Sequence, residues 1–265
     1  HNNLFLIRSI MRVATWNVNS LKVRLPQVLN WLAINQPDVL CLQETKVQDE
    51  NFPVAEIIDA GYQPIYSGQK TYNGVAILGK KIGNNPVAAI PDFVDPQKRV
   101  LAATYGGVRV VCIYVPNGQS VESEKFQYKM EWLAALNKWL QAELIQYPKL
   151  VLLGDFNIAP EERDVHDPEL WEGKVLFSEP EREAFMTLLK LELVDSFRLF
   201  DHPDKSYTWW DYRMLGFRRN LGMRIDHILL SNELSNNCIG CAIDKEPRKN
   251  ERPSDHTPVM VDFTA

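Results

Sequence analysis

The chain has 265 residues, 45% apolar and 24% charged, with a formal net charge of -5. That is the composition of an ordinary folded domain, with no excess of Gly, Pro or Ser to suggest disorder. Its apolar runs, such as VLLG and VLCL, stop far short of the roughly 20 residues that cross a bilayer, and its acidity excludes indiscriminate binding to nucleic acid.

Residues 1–10 are expected to be an extension or expression remnant, because Met11 stands directly before the first strand pattern; the opening lacks the basic start and cleavage site of a signal peptide. RVATWNV, from Arg12, alternates like a half-buried strand. RLPQVLNWLAI then places Leu25, Val28, Leu29 and Leu32 at helical spacing, with Pro26 early enough to be tolerated. DVLCLQE is a second strand, PVAEIIDAG a short helix ending at Gly61, and NGVAIL, RVLAATY and VRVVCIYVPN are further strands, the last two joined by the hairpin signal Gly106-Gly107. A long helix is predicted from about Glu122 to Gln146, with Phe126, Met130, Leu133, Leu140 and Leu144 as its apolar stripe. KLVLLGDFN reads as a strand buried on both faces. SEPEREAFMTLLKL opens on Ser178 and Glu181 in capping-box spacing. YTWWDY, RIDHILLS and TPVMVDF are strands that finish the chain. With no repeat and no linker-like break, residues 11–265 form a single mixed α/β domain.

Four scattered cysteines make no disulfide framework and suit a reducing cytosol. Cys238 and Cys241 have CxxC spacing, but no further ligand pair lies nearby, which argues against a metal or redox role.

Four acids share a position relative to strands. Glu44 ends VLCLQE and Asp155 ends LVLLGD, while Asp226 begins DHILLS and Asp255 immediately precedes TPVMVDF. If the last two strands run antiparallel to the first two, all four carboxylates reach one edge of the sheet core, and Asn17, ending VATWN, joins them. Each alone reads more readily as a turn or cap. Converging carboxylates repel one another unless a cation joins them, and a hard ion such as Mg2+ takes oxygen ligands while sharing its coordination with substrate phosphates. His256 is the one histidine beside a candidate ligand; His166, His202 and His227 read as loop or strand-surface residues. A histidine held by a carboxylate can become cationic and bind a phosphoryl oxygen, while Asp155 and Asn157 in GDFN form a plausible pair for handling water. The constellation points to metal-assisted phosphoester hydrolysis.

TWNVNSLKVRL, PDVLCLQETK, GQKTYNGVAIL, YVPNG, LLGDFNIAP, YTWWDYR, LGMRIDHILLS and RPSDHTPV occur in the order seen in the exonuclease III family of DNA repair nucleases, within the wider endonuclease/exonuclease/phosphatase superfamily. The chain resembles that family from Met11 onward; GDFN and SDH recur across the superfamily, whereas LQETK, WWDYR and RIDHIL together resemble its DNA repair branch. The resemblance implies a four-layer α/β sandwich, two mixed, mostly antiparallel sheets packed face to face and flanked by helices. It implies a Mg2+ site, which Mn2+ can also fill, with Glu44 as main ligand and Asn17 and Asp255 nearby. By the same resemblance, Asp155 would activate or orient the attacking water, Asn157 would help to position it, and His256 paired with Asp226 would hold the scissile phosphate, which Tyr114 and Asn117 would also contact. Trp209, Met223 and Ile225 match positions that enclose a base-less sugar, although Met223 stands where some relatives have Trp, and Asn19 replaces an acid found near the metal in some members. Lys46 and the basic stretch from Arg213 through Arg218 and Arg219 to Arg224 are implied DNA contacts.

The implied activity is cleavage of duplex DNA 5' to abasic sites with removal of 3' blocking groups or nucleotides, by a monomer in a bacterial-type cytosol. One alternative is a predominantly 3'-exonuclease or 3'-phosphatase enzyme, with the segment 164–179 deciding by crowding or freeing the abasic pocket. A lipid or inositol phosphodiesterase and a non-catalytic DNA-binding relative are the others; the second is disfavoured because Glu44, Asp155, Asn157, Asp226 and His256 are all present.

Overall fold

A computed structural model describes residues 9–265. Of the segment expected to be an extension, residues 1–8 lie outside the described residues, while Ile10 already belongs to the first strand and pairs with Thr264.

Two six-stranded sheets form the centre. The first contains β1 (Ile10–Asn17), β2 (Val39–Gln43), β3 (Gln63–Ser67), β4 (Val75–Gly79), β13 (Cys238–Ile243) and β14 (Val259–Thr264), in the order β13-β14-β1-β2-β4-β3. The second contains β5 (Asn84–Val87), β6 (Val100–Tyr105), β7 (Val108–Tyr114), β8 (Leu150–Asp155), β9 (Leu193–Asp195) and β12 (Asp226–Ser231), in the order β5-β6-β7-β8-β12-β9. Among the described residues, only β1 with β2 and β7 with β8 are parallel; the other pairs are antiparallel. β10 (Trp209–Trp210) and β11 (Gly222–Met223) form a separate two-stranded ribbon.

Side chains alternate across each strand, and that period of two builds the layers. Val13, Val39, Cys41 and Ile77 of the first sheet meet Val110, Cys112, Val151, Leu153 and Ile228 of the second in the central core. The opposite face of the first sheet, with Ala14, Trp16, Leu40 and Leu42, packs on α1 (Leu21–Asn35) and α2 (Val54–Asp59) through Val28, Trp31, Leu32 and Ile57. The outer face of the second sheet, with Val111, Leu150, Leu152 and Leu229, packs on α3 (Glu124–Gln146) and, beyond the short α4 (Pro168–Trp171), on α5 (Glu179–Leu189). The remaining helix, α6 (Asn232–Ser235), is a single turn after β12. The result is the expected four-layer α/β sandwich.

Several elements differ from their sequence patterns for local reasons. α1 begins at Leu21, where the Ser20 hydroxyl accepts from the Val23 N–H, so Pro26 lies in the second turn and interrupts the helical ladder there. The buried face of α3 runs through Phe126, Trp132, Leu133, Leu136, Trp139 and Leu140, with Lys129 among them, while Met130 and Leu144 are only partly covered. YTWWDY shortens to the two residues of β10. The Ser178–Glu181 capping box at the start of α5 is formed.

Candidate active site

The strand directions bring the acids together. β1 and β2 are parallel, so Asn17 and the residue after Gln43, Glu44, leave their sheet at the same end. In the other sheet Tyr114 and Asp226 are the register partners of Asp155 on its two sides. β14 runs antiparallel to β1, which places Asp255 and His256, just before it, beside the ends of β1 and β2. His256 also bridges to Trp209. Gly154 makes the approach of β7 and β8 possible: a Cβ there would lie 1.9 Å from the Ile113 carbonyl oxygen.

At the centre, the Asn17 Nδ2 donates to Glu44 Oε2 at 2.5 Å and to Asp155 Oδ2 at 2.8 Å. His256 Nδ1 lies 2.8 Å from Asp226 Oδ2, and its Nε2 lies 3.6 Å from Asp155 Oδ2. Asp155 Oδ1 accepts from the Asn157 N–H, and the Asn157 Nδ2 donates to the Val115 carbonyl. Ser254 Oγ donates to the Asn17 carbonyl and accepts from the His256 N–H, and Thr208 Oγ1 accepts from the N–H groups of Ile225 and Asp226. Asp155, Asp226 and His256 are buried, so water screens these charges little.

Burial raises the Asp155 carboxyl to about 7, with Asp226 and Glu44 adding to the rise and His256 opposing it. Burial alone would lower His256, but Asp226 and Asp155 outweigh it and hold the imidazole well above its ordinary value. Glu44, Asp155 and His256 each offer one ligand atom within 4.8 Å of the others. The donor chemistry fits a hard divalent cation, because carboxylate oxygens brought this close, one of them buried, are relieved by positive charge. Asp226 Oδ1 is buried without a hydrogen-bond partner.

The other expected site residues divide by place. Asp255 stands outside the ligand cluster: its oxygens accept from the Trp209 indole at 3.2 Å and the Asn19 amide at 3.3 Å. Lys46 Nζ sits 3.5 Å from Glu44 Oε1 and donates to Asn19 Oδ1. Tyr114 lines a cavity of about 710 Å³ with Tyr72, Arg99, Asn117 and Lys125, beside the acidic cluster. Burial, then Glu44 and Asp155, push its phenol up. Arg218 and Arg219 are exposed, and exposed Arg213 is held by Asp211.

Arg224 corrects the reading of the basic stretch. It is 1% exposed and pairs with Asp164 at 2.8 Å and Asp195 at 2.7 Å, so it ties the segment after β8 to β9 and has no surface to offer DNA. His227, expected at a strand surface, is also buried, with Nε2 2.8 Å from the Ile158 carbonyl and Nδ1 facing Arg224. Met223 and Ile225 do not line an open slot. They are 0% and 1% exposed beneath Ala159, Val165, Leu176 and Phe177, and only Trp209 is partly open.

Burial and Arg224 lower His227 to about 4. Because the unfolded imidazole titrates near about 6.5, the unfolded chain binds the extra proton first, so stability is full above that value and falls as pH drops toward about 4. The ceiling on that loss is about 3 kcal/mol. Urea unfolding between pH 7 and pH 4.5 is expected to show a shallower acid slope in His227→Gln than in the unsubstituted protein, and equal slopes would contradict the assignment.

With this geometry in view, comparison with known proteins decides the family. A profile of the Endonuclease/Exonuclease/phosphatase family matches residues 14–256. The chain belongs to this family, in its exonuclease III branch. The exonuclease III-type chain is 36% identical to exodeoxyribonuclease III of Haemophilus influenzae, over 96% of this chain and 100% of that protein. A solved 3' phosphatase, NExo, from Neisseria, bound to a product DNA hairpin, is 48% identical with a TM-score of 0.95, covering 96% and 100% of the two chains. An AP endonuclease from Archaeoglobus fulgidus is 38% identical with a TM-score of 0.92, covering 96% and 100%. The family is metal-dependent, and Glu44, Asp155 and His256 at the sheet edge group ligand atoms that could hold an ion.

Lys129, Asp164, Asp195, Thr208 and Ser254 escaped sequence reasoning. Lys129 alone carried a signal, a charge interrupting an apolar helical stripe; the acids Asp164 and Asp195 sit in unremarkable loop and strand-end contexts.

Proposed function

We propose that this DNA repair nuclease of the exonuclease III family is a Mg2+-dependent hydrolase of duplex DNA, cleaving the phosphodiester 5' to abasic sites and removing 3' blocking groups or nucleotides. The observation that carries the reading is the convergence of Glu44, Asp155 and His256, with Asp226 behind the imidazole. Every one of these groups comes from one chain, which supports action as a monomer. The free thiols Cys41, Cys112, Cys238 and Cys241 suit a reducing cytosol.

In this reading Glu44 is the principal Mg2+ ligand, with Asp155 beside it, and Mn2+ is an acceptable substitute. Asn17 holds both carboxylates through its amide nitrogen, and Asp255 supports Trp209 and Asn19 at the rim. The cation, when bound, neutralises charge on the phosphate oxygens. Asp155, buried at the end of β8 and beside the imidazole of His256, accepts a proton from the attacking water. The Asn157 side chain is fixed by its bond to Val115, leaving Oδ1 to accept from and orient that water. The water oxygen bonds to phosphorus as the P–O3' bond breaks in abasic-site cleavage, and the departing 3'-oxyanion takes a proton from solvent to become the 3'-hydroxyl. His256, oriented by Asp226 at Nδ1, presents Nε2 to a phosphoryl oxygen, with Tyr114 and Asn117 on the other side of the phosphate. The Tyr114 cavity, with Arg99 and Lys125, suits the adjoining strand, and Lys46, Arg213, Arg218 and Arg219 suit its phosphates.

The alternative weighted toward 3' ends gains a specific observation. Met223 and Ile225 are packed in a buried cluster with Val165 and Leu176, so an extruded base-less sugar that reaches them must displace part of that packing, whereas a 3'-terminal phosphate need only reach the acidic cluster. A side-by-side assay on duplexes carrying a 3'-phosphate, a recessed 3' end or one abasic analogue is expected to show Mg2+-dependent turnover of all three, fastest at the 3'-phosphate. Abasic incision outpacing phosphate release would reject the closed slot as a barrier, and no turnover of any DNA would reject the proposed function.

A further inference from the structure

One buried ion pair lies behind the site. Lys129, on the core face of α3, pairs with Glu181, at the start of α5, and neither side chain has exposed surface. The Lys129 ammonium also donates to the main-chain carbonyl of Asn157 at 2.7 Å and to that of Asn117 at 3.2 Å. Those carbonyls belong to the GDFN and YVPN turns. Asn157 itself has φ 49°, and Asn117 is followed by Gly118 at φ 91° and Gln119 at φ 56°, so both turns rest on left-handed backbone. The Glu181 carboxylate that takes Lys129 also accepts from the Leu176 N–H at 2.9 Å, and its other oxygen accepts from Ser178 Oγ at 2.6 Å.

An ammonium and a carboxylate taken fully out of water are a poor way to gain stability, since an apolar pair of similar volume commonly does as well. What this pair supplies is a common anchor. We propose that Lys129 and Glu181 are positioning residues for the hydrolysis: the ammonium fixes the Asn157 and Asn117 turns relative to each other, and Glu181 fastens the segment covering Met223 and Ile225 to the same point. This deepens the proposed function and rests on its roles for Asn157 and Asn117. Neither Lys129 nor Glu181 touches the substrate. They act through the spacing between the group that orients water and the group that contacts phosphate.

A plain structural role predicts lost stability with normal turnover in whatever remains folded. The double variant Lys129→Met with Glu181→Gln keeps volume and a carbonyl acceptor for Leu176 while leaving no lone buried charge. It is compared with Arg109→Met with Glu143→Gln, which removes another ion pair of α3, at 3.1 Å, remote from both turns. Kinetics on a 3'-phosphate duplex at saturating Mg2+, with thermal melting alongside, are the measurement. Lys129→Met with Glu181→Gln is expected to lose about a hundredfold in kcat, the scale of an ångström-level misplacement, with KM nearly unchanged, while the control pair keeps its kcat. Equal kcat losses in the two double variants, or wild-type kcat in the first, overturn the proposal. Should the first not fold, Lys129→Gln alone is the second variant: Glu181 keeps its bonds from Leu176 and Ser178, an amide with two donors cannot serve Glu181 and both turn carbonyls, and its kcat must still fall, with unchanged kcat overturning the proposal. An unsubstituted protein that releases no phosphate marks a different failure, that of the proposed function.

Discussion

Asp155→Asn is expected to cut kcat by about a thousandfold or more while leaving KM for DNA within a few-fold. The substitution keeps the side-chain volume and an acceptor for the Asn157 N–H, so the GDFN turn has no reason to move. It removes the group proposed to take the proton of the water and one of the carboxylates whose ligand atoms are grouped within 4.8 Å. The same change should not harm the fold in metal-free protein. A carboxyl held near about 7 is raised above its unfolded value, so the unsubstituted protein loses stability as pH rises from the ordinary carboxylate range through about 7. The cost has a ceiling of about 4 kcal/mol, against about 1 kcal/mol for the Asn17 hydrogen bond that the amide no longer accepts. Melting of chelator-treated protein at pH 8 is therefore expected to place Asp155→Asn at or above the unsubstituted chain. A lower melting temperature, or near-normal kcat, would show that the carboxylate has been misassigned.

His256→Ala should be severe in both turnover and stability. Turnover is expected to fall by about 10²- to 10⁴-fold, the range for a positioned proton-carrying side chain. Stability falls because Asp226 Oδ2 loses its partner and Oδ1 has none already, leaving a buried carboxylate wholly unpaired; breaking such a pair costs about 3–5 kcal/mol. The pH dependence has a definite sign. His256 is raised above its unfolded value, so the stabilisation is fully present below about pH 6.5 and fades as pH rises through the folded value. Urea unfolding of the two proteins at pH 6 and pH 9.5 should show a gap that narrows at the alkaline end. A gap that widens with pH would mean that the imidazole is neutral in the native state.

Much of this was legible because strand ends mark function in a sandwich. The alternating or wholly apolar runs of β1, β2, β7, β8, β12 and β14 identify the strands, and Asn17, Glu44, Asp155, Asp226 and His256 stand at their ends. Once β12 runs antiparallel to β8, Asp226 falls opposite Asp155 without further assumption. The missed strands lack that periodicity: β3 is an edge strand carrying Pro64, β5 is the polar NNPV, β9 and β11 are only three and two residues long, and β13 shifts register between Cys238 and Gly240. Errors at the site have one source, long-range partners that composition does not display. Arg224 shares a stretch with exposed arginines but meets Asp164 and Asp195 from distant segments, and the apolar Met223 and Ile225 read as an open slot although Val165 and Leu176 fold over them. Asp255, expected near the metal, turns to Trp209 and Asn19, while Asp226, 30 residues away, lies against His256 as the resemblance implied.

The central claim is that a divalent cation held by Glu44 and Asp155 enables hydrolysis of DNA phosphoesters at this sheet edge. It is tested by stripping the protein of metal with chelator and following phosphate release from a 3'-phosphate duplex as Mg2+ is added back, in the unsubstituted chain and in Glu44→Gln. The account predicts no release before Mg2+, saturable recovery afterwards, and at least about tenfold more Mg2+ to half-activate Glu44→Gln, the lower range for disturbing a metal site. Release that proceeds in chelator, or identical Mg2+ curves for the two proteins, would contradict it.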